Sequence, residues 1–318
     1  MVELIRTRAA AGSRPGERTD GARLALAIEG GGMRGAITGG MCGALDRLSL
    51  LDVFDDVYGA SSGALNAAWF VSGAALRTMD AWADRALRTA SVRRRNLLRG
   101  RPIVDGRHLT EVVYERLTPL PFDAILASRI GLHPLATDTR TGASVDLAPS
   151  IVDRASLKLS LRASTALPLL SGRPVELGGR RFFDAGIAES IPFVTPIAQG
   201  ATHLMVLRSR RAGDQDTREI GRSASLVARY LSRHSPALAA AFLARPSRLL
   251  ATDAELAACE AATGSAPAVV SVRPGPEMAP IGRLERDDAL ILAGLRAGER
   301  AVHDLLDGPL GHGSGRSD

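Results

Sequence analysis

Leu24-Ala25-Leu26-Ala27-Ile28, followed two residues on by Gly30-Gly31-Gly32-Met33-Arg34-Gly35, is a short unbroken apolar run that stops at three glycines. A run of this length suits a strand buried on both faces of a parallel sheet. From Ala36 to Leu50, the apolar residues Ile37, Met41, Ala44, Leu45 and Leu48 recur at spacings of three and four, the pattern of an amphipathic helix. Val53 to Tyr58 reads as a second strand broken by Gly59, and Ala64 to Val71 as a helix that opens near Ser62. Strand, glycine turn and helix therefore occur twice in succession, which is how an α/β fold with parallel strands begins.

Further along the chain, helical periodicity covers Thr78 to Thr89, Leu109 to Leu117 and Ser156 to Ala163. Leu132 to Asp138, Arg181 to Phe183 and His203 to Leu207 read as strands, as does Val269 to Val272. Asp287 to Leu306 is a closing helix. No repeat and no long Pro/Gly/Ser linker divides the chain, so residues 22–308 are expected to form one domain. Residues 1–21 are polar and expected to be disordered, and residues 309–318 to form a flexible tail. The Ala- and Arg-rich stretch 214–280 is expected to be a helical cover, either a lid over a pocket or ordinary packing helices.

Composition is that of a soluble globular protein, 45% hydrophobic and 23% charged, with few aromatics. Lys158 is the only lysine, so the net charge of +6 comes from arginine. An anionic partner fits that charge. Arg93, Arg94, Arg95, Arg99 and Arg101 surround Leu97 and Leu98 in a basic stretch that reads either as a solvated loop or as a peripheral contact with an anionic membrane. No nucleic-acid motif or aromatic stacking platform accompanies the arginines, so nucleic acid is not an expected partner. Cys42 and Cys259 make neither a disulfide framework nor a metal-ligand cluster, and no metal or cofactor is expected. With no signal-peptide core and no run of eighteen apolar residues, the expected location is cytoplasmic.

Gly59-Ala60-Ser61-Ser62-Gly63 is a G-x-S-x-G between a strand and a helix, where flanking glycines allow the tight turn that lifts a serine hydroxyl out of a sheet. The bare pattern carries little weight in a chain so rich in Gly and Ser; its place between strand and helix is what matters. Gly30, Gly32 and Gly35 also satisfy the dinucleotide-binding G-x-G-x-x-G, which requires an acidic residue near the end of the next strand. Asp55 and Asp56 lie at the beginning or middle of that strand, and its far end carries Gly59 and Ser61 instead. An oxyanion hole accounts for both glycine turns together, because adjacent parallel strands would bring them side by side. Phe183-Asp184-Ala185-Gly186 offers an aspartate after a strand, which by itself is an ordinary turn former. The histidines, His108, His133, His203, His234, His303 and His312, stand in no catalytic context, with structural roles the plainer reading for His133 and His203.

Taken together, residues from Leu24 to about Gly200 resemble the patatin-like phospholipase family. Gly30 to Gly35 is similar to that family's glycine-rich oxyanion loop, with Met33 and Arg34 within it, and Gly59 to Gly63 to its nucleophile elbow. Arg162-Ala163-Ser164-Thr165-Ala166-Leu167-Pro168 resembles the stretch that precedes the family's D-G-[GA] turn, here Asp184-Ala185-Gly186, with Ile191-Pro192 behind it. The resemblance implies a three-layer α/β/α sandwich with a mostly parallel central sheet and a helical C-terminal part. It implies a lipid acyl hydrolase with a Ser61–Asp184 dyad, loop N–H groups of Gly31 and Gly32 facing the oxyanion, and an ester lipid, phospholipid or glyceride, as substrate. Arg34 would either hold a lipid phosphate or brace the loop. Ala185 replaces the family's usual glycine, so the backbone there must avoid positive φ or carry strain on the order of 1 kcal/mol. The alternative is a catalytically weak lipid-binding or regulatory module on the same fold.

Overall fold

The computed structural model describes residues 1–90, 102–214, 222–262 and 267–307. The basic residues Arg93, Arg94, Arg95, Arg99 and Arg101 and the expected tail at 309–318 lie outside them. Among the described residues eight strands form one sheet: β1 Leu24–Ile28, β2 Asp56–Ala60, β3 Gly131–Asp138, β4 Ser144–Asp146, β5 Val175–Leu177, β6 Arg180–Asp184, β7 His203–Leu207 and β8 Ala268–Val272. Their order is β5-β6-β3-β2-β1-β7-β8, with β4 paired to β3 off this path. β1, β2, β3, β7 and β8 run parallel, whereas β4 and β6 are antiparallel to β3 and β5 is antiparallel to β6.

All of β1 is buried, and its alternating side chains serve two cores. Leu24, Leu26 and Ile28 pack with Ile37, Met41 and Leu45 of helix α2 (Gly35–Arg47), Trp69 of helix α3 (Ser62–Val71) and Val302 of the closing helix Asp288–Asp307. Ala25 and Ala27 face the other way, with Tyr58, Leu135, Leu204 and Leu256 of the helix Arg245–Ala261. Helix, sheet and helix make the three layers, and the α/β expectation holds. Within 214–280, Leu256 is a core residue and β8 extends the sheet, while Leu231 and Leu238 from the helices Arg222–Ser232 and Pro236–Leu243 cover Phe183 and Ile187. The described residues of this stretch thus include a strand of the sheet as well as helices.

The segment 1–21 departs from expectation. Val2–Ala10 is helix α1, with Ile5 and Arg8 fully buried. Arg8 donates to both carboxylate oxygens of Asp20, to Asp55 Oδ2 and to the carbonyls of Val53 and Ala22. A buried arginine is tolerable when its donors are matched in this way, and local composition cannot reveal partners up to 47 residues off. The same cluster shifts the second strand. Asp55 Oδ2 accepts the Leu24 N–H, Leu51–Val53 forms a 3₁₀ turn, and pairing starts only at Asp56. Gly59 lies inside the strand instead of ending it. The helix expected from Thr78 to Thr89 is two, Ala75–Ala83 and Arg85–Ala90, because Asp84 is extended and its carboxylate accepts the N–H groups of Ala86 and Leu87. Leu109–Leu117 is a π-helical run.

His133 lies near the start of β3, at the opposite end of the parallel strands from Ser61. Its ring nitrogens contact Asp146 Oδ2 at 2.7 Å and Asp56 Oδ1 at 3.0 Å, and its ring stacks on Tyr58 at 4.2 Å. Burial opposes the imidazolium, but the hydrogen bonds and charges of Asp146 and Asp56 outweigh it and push His133 up to about 9. Both aspartates are correspondingly held below the ordinary carboxylate value. Because the folded value lies above the unfolded one near 6.5, the stabilisation is fully present below pH 6.5 and lost as pH rises through about 9. A shift of this size corresponds to about 3 kcal/mol. Thermal melts of the wild type should therefore fall across that window, and His133→Gln should start lower and show a flatter profile. An identical pH slope in the variant would show that another group sets it.

Candidate active site

Ser61 stands between the last residue of β2 and the first of α3, with φ 54° and ψ −123°. A non-glycine residue in this region carries strain of roughly 1–3 kcal/mol, so the surroundings must impose it. The glycines of the elbow permit the close approach. A β-carbon on Gly63 would lie 2.2 Å from the Ile28 carbonyl oxygen, and one on Gly59 would lie 2.5 Å from Ala64 Cα. Ser61 N–H donates to Ser164 Oγ at 3.0 Å, and the Ser61 carbonyl accepts from Ala64 N–H at 2.9 Å. The hydroxyl of Ser61 is left to donate to Asp184 Oδ2 at 2.6 Å.

Sheet register delivers the aspartate. Ala60 of β2 pairs with Leu135 of β3, and the next residue of β3, Ala136, pairs with Asp184 of β6. Asp184 is 4% exposed. Its N–H donates to the Ala166 carbonyl, its carbonyl accepts from Thr137 Oγ1, and its Oδ1 accepts the Gly186 N–H at 2.8 Å. The stretch Arg162 to Pro168 now has a physical reading: Ser164 holds the serine's backbone, and Ala166 holds the aspartate's. Ala185 sits in a 3₁₀ turn, Ala185–Ile187, without positive φ, so replacing the usual glycine is accommodated. Burial pushes the Asp184 carboxyl up. Hydrogen bonds from Ser61 and Gly186 and the charges of Arg245 and Arg283 oppose this but do not cancel it.

The glycine turn lies alongside. A β-carbon on Gly30 would lie 2.5 Å from the Ala60 carbonyl oxygen, so the loop is in contact with the elbow. Gly30 N–H donates to the Ser190 carbonyl and Met33 N–H to the Arg283 carbonyl. The two donors expected in the sequence differ here. Gly31 N–H is already engaged by Ser62 Oγ at 3.0 Å. Gly32, at φ +62°, makes no N–H hydrogen bond among the described residues and lines the same cavity as Ser61. Gly35 begins α2, its carbonyl held by Asn66 Nδ2.

Arg34 Nε donates to Ser209 Oγ at 3.3 Å, which turns its head toward a buried ion cluster beneath the loop. There Glu29 Oε2 accepts from Arg208 Nε and Ser209 N–H, and Arg208 also pairs with Asp253. Burial would raise Glu29, but Arg208, Arg34 and Arg210 together with the Ser209 N–H hold it below its ordinary value. Arg34 is thus tied to Ser209, and its charge bears on Glu29. Glu29 and Arg208 were invisible to pattern reading because 179 residues separate them; an ionisable residue ending a fully apolar strand was the available signal.

A cavity of about 180 Å³ opens at Ser61, walled mainly by apolar side chains such as Leu65, Trp69, Trp82, Leu87, Val113 and Leu284. Ser61 Oγ has Asp184 as its partner and no histidine among the described residues.

A mostly parallel sheet with a serine elbow, an adjacent glycine turn and a buried aspartate within hydrogen-bond distance defines the patatin-like architecture. Residues 26–197, more than half of the chain, match the family model described as patatin-like phospholipase. The chain belongs to that family, a family of lipid acyl hydrolases. It is also similar to the uncharacterized protein YjjU of Escherichia coli K12, with 28% identity over 194 residues, 59% of this chain and 52% of that protein. The chain thus spans about half the length of that relative. VipD from Legionella pneumophila, a solved structure, aligns at a TM-score of 0.47 and 13% identity over 90% of this chain and 67% of that one. No helix among the described residues is long and apolar enough to cross a membrane.

Because the folded value of Asp184 is raised, its ionised form is the costlier one in the folded state. The stability associated with this group is present below the unfolded value near 3.8 and lost as pH rises through the folded value. Asp184→Asn keeps the acceptor for Gly186 N–H and removes the buried charge. It is expected to melt above the wild type at neutral pH, with the difference closing as the pH approaches the acid range. A lower melting temperature at neutral pH would contradict a desolvated carboxylate here.

Proposed function

We propose that the protein hydrolyses acyl esters of lipids with Ser61 as nucleophile and Asp184 as its base. The observation that carries this reading is the 2.6 Å hydrogen bond between Ser61 Oγ and a carboxylate whose basicity burial has raised, at the mouth of an apolar cavity. A carboxylate of ordinary pKa is a weak base toward a serine hydroxyl, and desolvation narrows that gap. As Ser61 Oγ attacks the ester carbonyl, its proton passes to Asp184 Oδ2. The tetrahedral intermediate places its negative oxygen against the glycine turn. Gly32 N–H is the available donor, and Gly31 N–H becomes a second when it exchanges Ser62 Oγ for the oxyanion. Each such donor is worth about 3 kcal/mol in other enzymes of this type.

Collapse of the intermediate breaks the ester C–O bond, and Asp184 returns the proton to the departing alcohol oxygen. Water, deprotonated in turn by Asp184, attacks the acyl-enzyme. The fatty acid leaves, and the proton goes back to Ser61. The acyl chain lies in the cavity among Leu65, Trp69 and Val113, whose burial against it supplies binding at roughly 25 cal/mol per Å² of apolar surface.

Turnover of a short p-nitrophenyl ester tests the reading. Ser61→Ala and Asp184→Ala are each expected to lose on the order of 10⁴-fold or more in kcat. The wild-type rate should also fall toward acid pH through a value above the ordinary aspartate range, since only ionised Asp184 accepts the proton. Equal activity in wild type and Ser61→Ala would rule the nucleophile out. Absence of turnover by the folded wild type would favour a lipid-binding module instead.

A further inference from the structure

The cavity at Ser61 runs along one face of α3. Ser62, Leu65, Asn66 and Trp69 line it, a spacing of three and four that keeps to a single side of the helix. The lining on α3 stops at Trp69, although the helix continues to Val71. The opposite wall, with Gly106, Leu109, Val113 and Tyr114, has the same reach. It starts near the serine, since a β-carbon on Gly106 would lie 4.0 Å from Thr165 Oγ1, next in sequence to the Ser164 that takes the Ser61 N–H. At Tyr114, eight residues on, it meets Trp69 edge to face, with ring centroids 5.7 Å apart at 89°.

Exposure gives the cavity a direction. Leu284, which lines it together with Gly32 and Met33 of the glycine turn, is 54% exposed, whereas Trp69 is 1% and Tyr114 6% exposed. The open end is therefore beside the turn and the closed end at the aromatic pair. Trp69 N–H donates to the Tyr114 hydroxyl, so both rings are held by a polar contact as well as by packing. The other tryptophan of the cavity, Trp82, stands at the serine end. A β-carbon on Gly35 would lie 2.8 Å from its ring, and its N–H donates to Asn66 Oδ1.

From Ser62 to Trp69 the helix advances about 10 Å, the length of an extended acyl chain of about eight to ten carbons. Each methylene buried on the way raises kcat/KM by up to about fourfold. A longer chain has to displace two close-packed rings or leave its end outside, and gains nothing further. We propose that Trp69, braced by Tyr114, is the floor of an acyl channel along α3 and determines specificity by selecting medium-length acyl chains over long ones. This rests on the Ser61–Asp184 hydrolase reading.

The test measures kcat/KM on p-nitrophenyl butyrate, octanoate, dodecanoate and palmitate in neutral detergent micelles, each profile normalised to its own butyrate value. The wild type should rise from butyrate to octanoate and fall at palmitate. Trp69→Ala should raise the ratio of palmitate to octanoate about tenfold or more, the gain from a few additional buried methylenes. Leu65→Trp, which sets a ring about 6 Å nearer the serine, should move the maximum to butyrate. Melting temperatures certify folding, with Trp69→Leu standing in if the alanine variant does not fold. A wild-type profile that keeps rising to palmitate overturns this proposal alone. So does a wild-type ratio in the folded Trp69 variant, or a maximum left at octanoate in folded Leu65→Trp. A folded wild type that hydrolyses none of the esters overturns the hydrolase reading and this one with it.

Discussion

The hydrogen bond from Ser61 Oγ to Asp184 Oδ2 joins residues 123 positions apart, and the rest of the architecture serves to make that contact short. Strand pairing supplies the coarse alignment. β1, β2 and β3 run parallel, so the glycine turn and the elbow emerge at one edge, and β6 returns antiparallel to bring its last residue to the same edge. The fine alignment comes from Ser164 and Ala166, near the end of the helix Arg154–Ser164, which take the backbone N–H groups of the serine and the aspartate respectively. Removing an amide's partner in a buried site leaves an unsatisfied donor, so these two contacts also favour the strained conformation of Ser61 over a relaxed one.

Charge is arranged differently at the two ends of the strands. At the amino end, Arg8, Arg23 and His133 are matched by Asp20, Asp55, Asp56 and Asp146 in dense ion pairs. There Asp20, Asp56 and Asp146 lie below their ordinary value, as expected of paired groups. At the carboxyl end burial outweighs what favours the Asp184 anion, namely hydrogen bonds from a neutral hydroxyl and a backbone amide and the charges of Arg245 and Arg283. The same residue type is thus stabilised as an anion at one end and made basic at the other. The Glu29–Arg208 pair beneath the glycine turn is a third case, where burial is offset by several arginines and the result is a fixed foundation for the loop.

Much of this was legible in the sequence because it depends on short-range order. β1, β7 and the serine elbow are continuous patterns with glycines or apolar runs at their ends, and the structure places them within a residue or two of where the pattern does. Asp184 was legible only through the company of the other motifs, since an aspartate in a turn is common. What could not be read depends on partners distant in sequence. Arg8 looked like part of a frayed, polar terminus, yet is buried because Asp20 and Asp55 surround it. Ser62 looked like a helix start and is one, yet its hydroxyl also accepts the N–H of Gly31, 31 residues earlier. Arg283 carries no motif at all; its position is set by a carbonyl that meets the glycine turn 250 residues earlier, from Met33 to Arg283.

Ser61 and Ser62 are adjacent, both with hydroxyls in hydrogen bonds to elements of the site, and only one of them meets a carboxylate. Reaction with a fluorophosphonate followed by mass spectrometry of the proteolytic peptides separates them. The account requires a covalent adduct on Ser61, absent from Ser61→Ala and strongly slowed in Asp184→Ala. An adduct on Ser62 or on a serine elsewhere, or none on the folded wild-type protein, would contradict it.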